Sequence, residues 1–303
     1  MVPELSIGSC TTIKRSIYTQ MNYDMLAFDL DGTTISNNYR MSPSFVDLIK
    51  KEKEHHYMCI TTGRSISDAY RYYRLLELDT MMICFNGAFI YNPRTEEILY
   101  SKPLKLFPNS NISEVFLEEE LNDVIENVII SCGVDTYFLN TRNQYLYRML
   151  IDDELPHTRM TVDELKEKEI HRIVISIKDG KKREMDALLE YLKKDVIVDP
   201  INVYPWKFHR EIIDISVGNV DKWDALCKVC KYEGLSTTRI ISIGDGVNDC
   251  NMLQNSLMGI CMKNAEDYVK EKAQYITTED NNNNGAYITL AKLLGVNSET
   301  EIR

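Results

Sequence analysis

The sequence predicts an α/β protein: a doubly wound parallel sheet, Rossmann-like in its winding, with a second α+β domain inserted into it. Three observations predict this. Short apolar runs alternate with amphipathic stretches at both ends of the 303-residue chain, the rhythm of strands joined by crossover helices. Several of those runs leave through turns rich in glycine, threonine and aspartate. The middle of the chain has strands and helices but lacks such polar exits.

YDMLAFD (23–29) reads as the first strand. SPSFVDLIKKEKEHH (42–56) reads as a helix, with Ser42 as N-cap and Pro43 in the first helical position, where its missing N–H costs nothing. YMCITT (57–62) is a strand, SISDAYRYYRLLEL (65–78) a helix and MMICFNGAFI (81–90) a strand, giving a β-α-β-α-β run. The rhythm returns with helix DKWDALCKVCKYEG (221–234), which ends on a glycine stop, and strand TRIISIGD (238–245). A short helix from about Asn248 to Gln254, strand SLMGICM, helix AEDYVKEKA, strand AQYIT and helix AYITLAKLL complete the chain. NNNN (281–284) reads as a solvated loop. In the middle, helices ISEVFLEEELNDVIENVI (112–129) and KKREMDALLEYLKKD (181–195) alternate with strands GVDTYFLN, HRIVISIK and DVIVD. The expected organisation is a leader at 1–22, an α/β core at 23–104 and 207–303, and an inserted α+β domain at 105–206.

Composition narrows the function. At 44% hydrophobic and 27% charged the chain suits a folded globular protein, and its net charge of -11 argues against a nucleic-acid partner. No apolar run approaches the roughly 20 residues that span a bilayer, so no membrane partner is expected. Of the eight cysteines, Cys59, Cys84 and Cys261 sit in apolar runs and read as buried, reduced thiols. Cys227 and Cys230 form a lone C-x-x-C without a second pair. A reducing, cytoplasmic compartment fits, and the leader leaves organelle targeting open.

Four signals carry chemistry. In LAFDLDGTT (26–34), Asp29 and Asp31 are two apart at a strand's C-terminal end, where open α/β sheets bind ligands, so strand alternation would put both on one face. Two close carboxylates require a cation between them or a shared proton, which implies a metal site, an acid–base pair, or both. In ISIGDGVND (241–249), Asp245 and Asp249 flank Asn248 at a second strand exit. Hard oxygen ligands of this kind suit Mg²⁺. In CITTGRS (59–65), Thr61, Thr62, Gly63 and Arg64 lead into a helix N-terminus, an arrangement suited to an anion. Lys222, in GNVDKWDAL, stands at the start of a predicted helix, where a cation opposes the dipole and a phosphate-facing role becomes plausible.

DLDGT (29–33), TTGR (61–64), FNGA (85–88), DISVGNVDKWDAL (214–226) and GDGVND (244–249), in this order, resemble the haloacid dehalogenase superfamily, and most closely its Cof-type capped phosphatases. The resemblance implies a phosphatase that hydrolyses small phosphate monoesters, chiefly sugar phosphates, through an aspartyl-phosphate. It implies Asp29 as nucleophile and Asp31 as general acid/base. Thr62 would be the phosphate-binding hydroxyl, with Thr61 as its substitute if the register slips by one. Lys222 would steady the phosphate. Mg²⁺ would be held by Asp29, the main chain of Asp31, Asp245 and, directly or through water, Asp249. Gly63, Arg64, Asn86, Gly87 and Asn248 would line the substrate side. Two other readings share these residues: a phosphosugar mutase, and a non-catalytic phosphosugar-binding regulator. Tyr137, Arg142, Tyr145, Arg148, His157, Arg159 and His171 are candidates for reading the substrate from the cap. The expected partner is a small phosphorylated metabolite; oligomeric state stays open.

Overall fold

In the computed structural model, residues 22–108, 110, 112–117, 121, 123–141, 157–158, 165, 168–206 and 209–296 are described. The leader up to residue 21 and the candidates Arg142, Tyr145, Arg148 and Arg159 lie outside them.

In chain order the strands are β1 (Met25–Phe28), β2 (Tyr57–Ile60), β3 (Met82–Cys84), β4 (Phe89–Asn92), β5 (Glu97–Ser101), β6 (Ile125–Cys132), β7 (Asp135–Thr141), β8 (His157–Thr158), β9 (Arg172–Ile177), β10 (Ile201–Trp206), β11 (His209–Val217), β12 (Ile240–Gly244), β13 (Met258–Cys261) and β14 (Tyr275–Ile276). The α-helices are α1 (Pro43–Glu52), α2 (Ile66–Leu75), α3 (Ile112–Leu117), α4 (Lys182–Tyr191), α5 (Lys222–Glu233), α6 (Cys250–Asn255), α7 (Asp267–Lys270) and α8 (Gly285–Leu293). They form two compact units. One joins the segment ending at Met58 to the segment beginning at Gly234; the other is Cys59–Glu233.

The first unit is built on a parallel sheet in the order β14-β13-β12-β1, continued by the opening residues of β2, where Tyr57 donates its N–H to Asp24 O at 2.9 Å. β1 and β12 are buried at every position, as a sheet covered on both faces requires. α1 starts as its sequence predicts: Pro43 opens it, and the Ser42 hydroxyl accepts from Phe45 N at 3.3 Å. Its apolar side buries Phe45, Val46, Leu48 and Ile49, and Phe45 meets Phe28 of β1 edge-on at 5.6 Å. Each fully buried side chain of this size contributes roughly 1.5–3 kcal/mol. Leu253 of α6, Cys261 of β13 and Val269 of α7 form a second apolar cluster.

The second unit holds two sheets. One is a six-stranded sheet in the order β10-β11-β9-β6-β7-β8, antiparallel except between β7 and β8. The other is the antiparallel sheet β3-β4-β5.

Several expected elements differ. The run 112–129 is not one helix: α3 ends at Leu117, and the following residues form β6. Branched side chains at Val124, Ile125, Val128, Ile129 and Ile130 suit a strand, and β6 is paired on both sides, by β9 and β7. The run 81–90 is not one strand. It folds back as the hairpin of β3 and β4 around Phe85, Asn86 and Gly87, all with positive φ (50°, 57° and 106°). DVIVD is not a strand either: α4 continues as a wide turn over Leu192–Val196, and only Ile197 makes an isolated bridge, to Leu106. Asn281, expected in a solvated loop, is buried and donates its amide to Ile35 O at 3.0 Å. The expected cap boundary at 206/207 falls between β10 and β11, which pair as neighbours in the six-stranded sheet.

Candidate active site

In the first unit the acidic groups gather at the strand ends. Asp29 follows β1 and is buried. Its N–H donates to Ile243 O at 3.0 Å, and its carbonyl accepts the Thr34 hydroxyl at 2.7 Å. The chain then turns tightly, because the N–H groups of Thr33, Thr34 and Ile35 all converge on Leu30 O. Strand alternation therefore stops at Phe28 and does not extend to Asp31, which is exposed while Asp29 is buried. Gly32 sits in this turn at φ +71°, with the Asp245 carboxylate where a Cβ would stand.

Asp245 ends the β12 exit. Its Oδ1 accepts the Thr33 hydroxyl at 3.0 Å and its Oδ2 accepts the Asn264 amide at 3.3 Å. Asp249 is fully buried, and its Oδ2 accepts Asp245 N at 3.0 Å and Gly246 N at 2.8 Å. Gly244 lacks a side chain for the same reason: a Cβ would lie 2.5 Å from Asp249 Cγ. Asn248 lies half-buried over Gly246.

Asp29, Asp245 and Asp249 each present an oxygen, and these atoms all lie within 4.8 Å of one another. At an effective dielectric of about 20, two unit charges 4 Å apart repel by about 4 kcal/mol. Hydroxyl, amide and backbone dipoles orient these carboxylates. The nearby Cys261 thiol registers the negative field: burial, then Asp245 and Asp249, push its pKa up to about 12. Three hard oxygen donors, two of them buried, fit a small divalent cation such as Mg²⁺.

In the second unit, the strand end at Thr61 pairs in parallel with Ile83. Thr62 N donates to Ile83 O at 2.8 Å, Thr62 O accepts Asn86 N at 3.0 Å, and the Thr62 hydroxyl accepts Arg64 N at 3.1 Å. Thr62 is 1% exposed and Thr61 is wholly buried. A Cβ on Gly63 would meet Asn86 Oδ1 at 3.0 Å. Gly87 lies against the Asp221 carbonyl, where a Cβ would come within 2.5 Å of the oxygen. Asp221 caps α5, its Oδ1 accepting Trp223 N at 2.7 Å and Asp224 N at 3.2 Å. Lys222 thus becomes the first residue of α5, with 0% exposure. Full burial of a lysine is uncommon and sets it apart from surface lysines.

Arg64 precedes α2 and is buried. Its guanidinium sits 5.6 Å over the Tyr72 ring, and Nη1 donates to Asp68 O at 3.4 Å, which braces α2. Among the cap candidates, Tyr137 is buried with its hydroxyl on Asp135 at 2.8 Å. His157 contributes backbone to β8. His171 is buried, stacked on Phe85 at 5.4 Å and edge-on to Phe89 at 5.0 Å. Its Nδ1 lies 3.0 Å from both Gly133 N and Glu169 O, and its Nε2 faces Ser101 Oγ at 3.0 Å. Burial lowers its pKa to about 4, with Glu169 opposing.

Sequence reasoning missed Asn264. Its amide also donates to Gly32 O at 2.8 Å, and its Oδ1 accepts Asn281 N at 3.1 Å, so it ties the first acidic turn to the second. The available signal was its place just beyond β13, a third parallel strand leaving at the same rim.

The sequence profile of haloacid dehalogenase-like hydrolases matches residues 26–290. A 5-amino-6-(5-phospho-D-ribitylamino)uracil phosphatase of Bacillus subtilis is 30% identical over 264 residues, 86% of this chain and 94% of that protein. A pyridoxal phosphate phosphatase of Escherichia coli is 24% identical over 90% of this chain and its own whole length. The crystal structure of a haloacid dehalogenase-like hydrolase from Bacteroides thetaiotaomicron superposes with a TM-score of 0.73 at 22% identity, covering 90% of this chain and 100% of that one. No helix among the described residues is long and apolar enough to cross a membrane.

Proposed function

The chain belongs to the haloacid dehalogenase-like hydrolase family, and on that premise we propose that it is a Mg²⁺-dependent phosphatase of small phosphorylated metabolites, with sugar phosphates as its substrate class. Its relatives are named as phosphatases, and one of them acts on a phosphoribityl compound. The observation that carries the reading is the acidic triad of Asp29, Asp245 and Asp249 around one point.

Mg²⁺ bound by Asp29, Asp245 and Asp249, and by the main chain of Asp31, would neutralise the repulsion between a phosphate monoester and a carboxylate nucleophile. Asp29 attacks phosphorus in line; the P–O bond to the alcohol breaks as the Asp29–phosphorus bond forms. Asp31, exposed and outside the triad, is the group that carries the proton. It gives that proton to the departing alkoxide and then takes one from the water that hydrolyses the aspartyl-phosphate, so inorganic phosphate leaves and Asp31 is restored. Thr62 and Lys222 hold the charge spread over the phosphoryl oxygens. Gly63, Arg64, Asn86, Gly87 and Asn248 shape the substrate side. Selection of the alcohol falls to the inserted segment, which we extend to the end of β11 at Val217.

The test is Asp29→Asn assayed against a panel of phosphate esters with Mg²⁺. Phosphate release should fall by at least about 10³-fold, as for other nucleophile knockouts. Undiminished turnover removes the nucleophile assignment. Isomerisation of a hexose phosphate without phosphate release would favour a mutase, and binding without turnover a regulator.

A further inference from the structure

Behind the phosphate-binding turns, the second unit buries charges that the mechanism above does not use. Arg172 of β9 is 5% exposed. Its Nη1 donates to Asp68 Oδ2 at 2.5 Å, and its Nε and Nη2 donate to Asp214 Oδ2 at 2.9 and 2.6 Å. Asp68 and Asp214 belong to the two segments that carry the phosphate-binding groups of this unit. Asp68 is in the first turn of α2, immediately after Thr62–Gly63–Arg64, and its N–H is held by Ser65 Oγ at 3.3 Å. Asp214 is on β11, whose chain runs on to the Asp221–Lys222 cap of α5.

Resting on the phosphatase reading, we propose that Arg172 is a positioning residue that fixes the Thr62–Arg64 turn relative to the Lys222 turn. The Phe85–Gly87 turn links the two at the front: Asn86 N donates to Thr62 O at 3.0 Å, and Gly87 packs against the Asp221 carbonyl. Arg172 ties them at the back, and without that second tie α2 could pivot about the front contact. Only a guanidinium does this, because its planar fork reaches two carboxylates on different elements; a lysine ammonium is one point charge.

The charges make the tie obligatory. Asp68 is 2% exposed, and its Oδ1 has no hydrogen-bond partner among the described residues. Burial raises its pKa, and Arg172, then Arg64, draw it back down. The groups facing Asp68 are Arg172 from β9, Arg64 and Ser65 from its own segment, and Cys84 from β3, with Asp214 behind Arg172. Two carboxylates alternate with two guanidiniums, so removing Arg172 strands a buried carboxylate.

The test uses the full chain, p-nitrophenyl phosphate and Mg²⁺, with kcat, KM, pH profiles and thermal unfolding measured for three variants: Arg172→Lys, Arg172→Met, and Arg172→Met with Asp68→Asn and Asp214→Asn. Displacing a reacting group by about 1 Å costs on the order of 100-fold, so Arg172→Lys should fold and lose about 10- to 100-fold in kcat with KM changed less than about threefold. Arg172→Met should gain an ionisation in its pH profile, as Asp68 takes up a proton, that the triple variant lacks. The triple variant should regain thermal stability but not kcat. Wild-type kcat in a folded Arg172→Lys or triple variant overturns the proposal, as does failure of all three to fold, which would make Arg172 purely structural. A wild-type protein without phosphatase activity, or one untouched by Asp29→Asn, overturns the phosphatase reading itself, and the catalytic role of Arg172 with it.

Discussion

Replacing Asp249 with alanine removes the common acceptor of two backbone N–H groups, Asp245 at 3.0 Å and Gly246 at 2.8 Å. A buried donor left without a partner costs about 1–3 kcal/mol. Asp245 and Gly246 are half-buried, so water can partly replace the lost acceptor, and the sum for the pair falls at about 2–4 kcal/mol. Asp249→Asn should behave differently. Its carbonyl can still accept both N–H groups, at neutral rather than charge-assisted strength, a loss of about 1 kcal/mol per bond. Both substitutions also remove one of three clustered negative charges, which works in the opposite direction by about 1 kcal/mol in each, because Asp29, Asp245 and Asp249 repel one another. In EDTA, urea unfolding should therefore show Asp249→Ala less stable by about 1–3 kcal/mol and Asp249→Asn within about 1 kcal/mol of the parent. Saturating Mg²⁺ should widen the gap between the parent and both variants, because each has lost a ligand that binds only in the folded state. The reasoning is refuted if Asp249→Ala unfolds within about 0.5 kcal/mol of the parent, or if Asn costs as much as Ala in EDTA.

Two further expectations follow from neighbouring contacts. The folded pKa of His171, about 4, lies below the unfolded value of about 6.5, so the folded state resists protonation. Its contribution is complete above pH 6.5 and disappears as pH falls toward 4, a loss of about 3 kcal/mol that His171→Gln should remove from the pH dependence of urea unfolding; parallel slopes for parent and variant would contradict it. Asn264→Ala frees both Gly32 O and Asp245 Oδ2 from their common donor. Loss of a residue that orients a metal ligand typically costs 10- to 100-fold in affinity, so half-maximal activity should need about ten times more Mg²⁺; an unchanged Mg²⁺ titration would count against the role.

The sequence made the parallel strands and the acidic turns legible because each carries its own local signal. Ser42 and Pro43 mark a helix start wherever they stand, and glycine beside aspartate at the end of an apolar run marks a polar strand exit. Where local signals conflict with distant partners, the reading fails. The stretch 112–129 carries helix-favouring glutamates in its first half, and only pairing with β7 and β9 decides that Ile125 onward is a strand. The Phe85–Gly87 turn is concealed because two of its three positive-φ residues are not glycine. Asn281 and Asn264 look like loop residues, since nothing local reveals that Ile35 O and Asp245 need their amides. Nothing local announces that Tyr72, two helical turns beyond Arg64, offers its ring to the guanidinium. Arg172 sits in an apolar strand run whose pattern does not announce two carboxylates waiting for it.

The acidic cradle joins chain segments far apart: Thr33 and the Asp245 it contacts are 212 positions apart. The second unit, Cys59–Glu233, is contiguous and lies wholly between those segments. During synthesis it is therefore complete while β1 still waits for β12, its neighbour in the parallel sheet. Loop closure over so long a span is slow unless the intervening chain is already compact, so early folding of the middle would bring the two ends of the polypeptide within reach. A nascent chain halted before residue 240 would then resist protease across its centre while its N-terminal strand stayed open to cleavage, and divalent-cation affinity would emerge only as the last quarter left the ribosome.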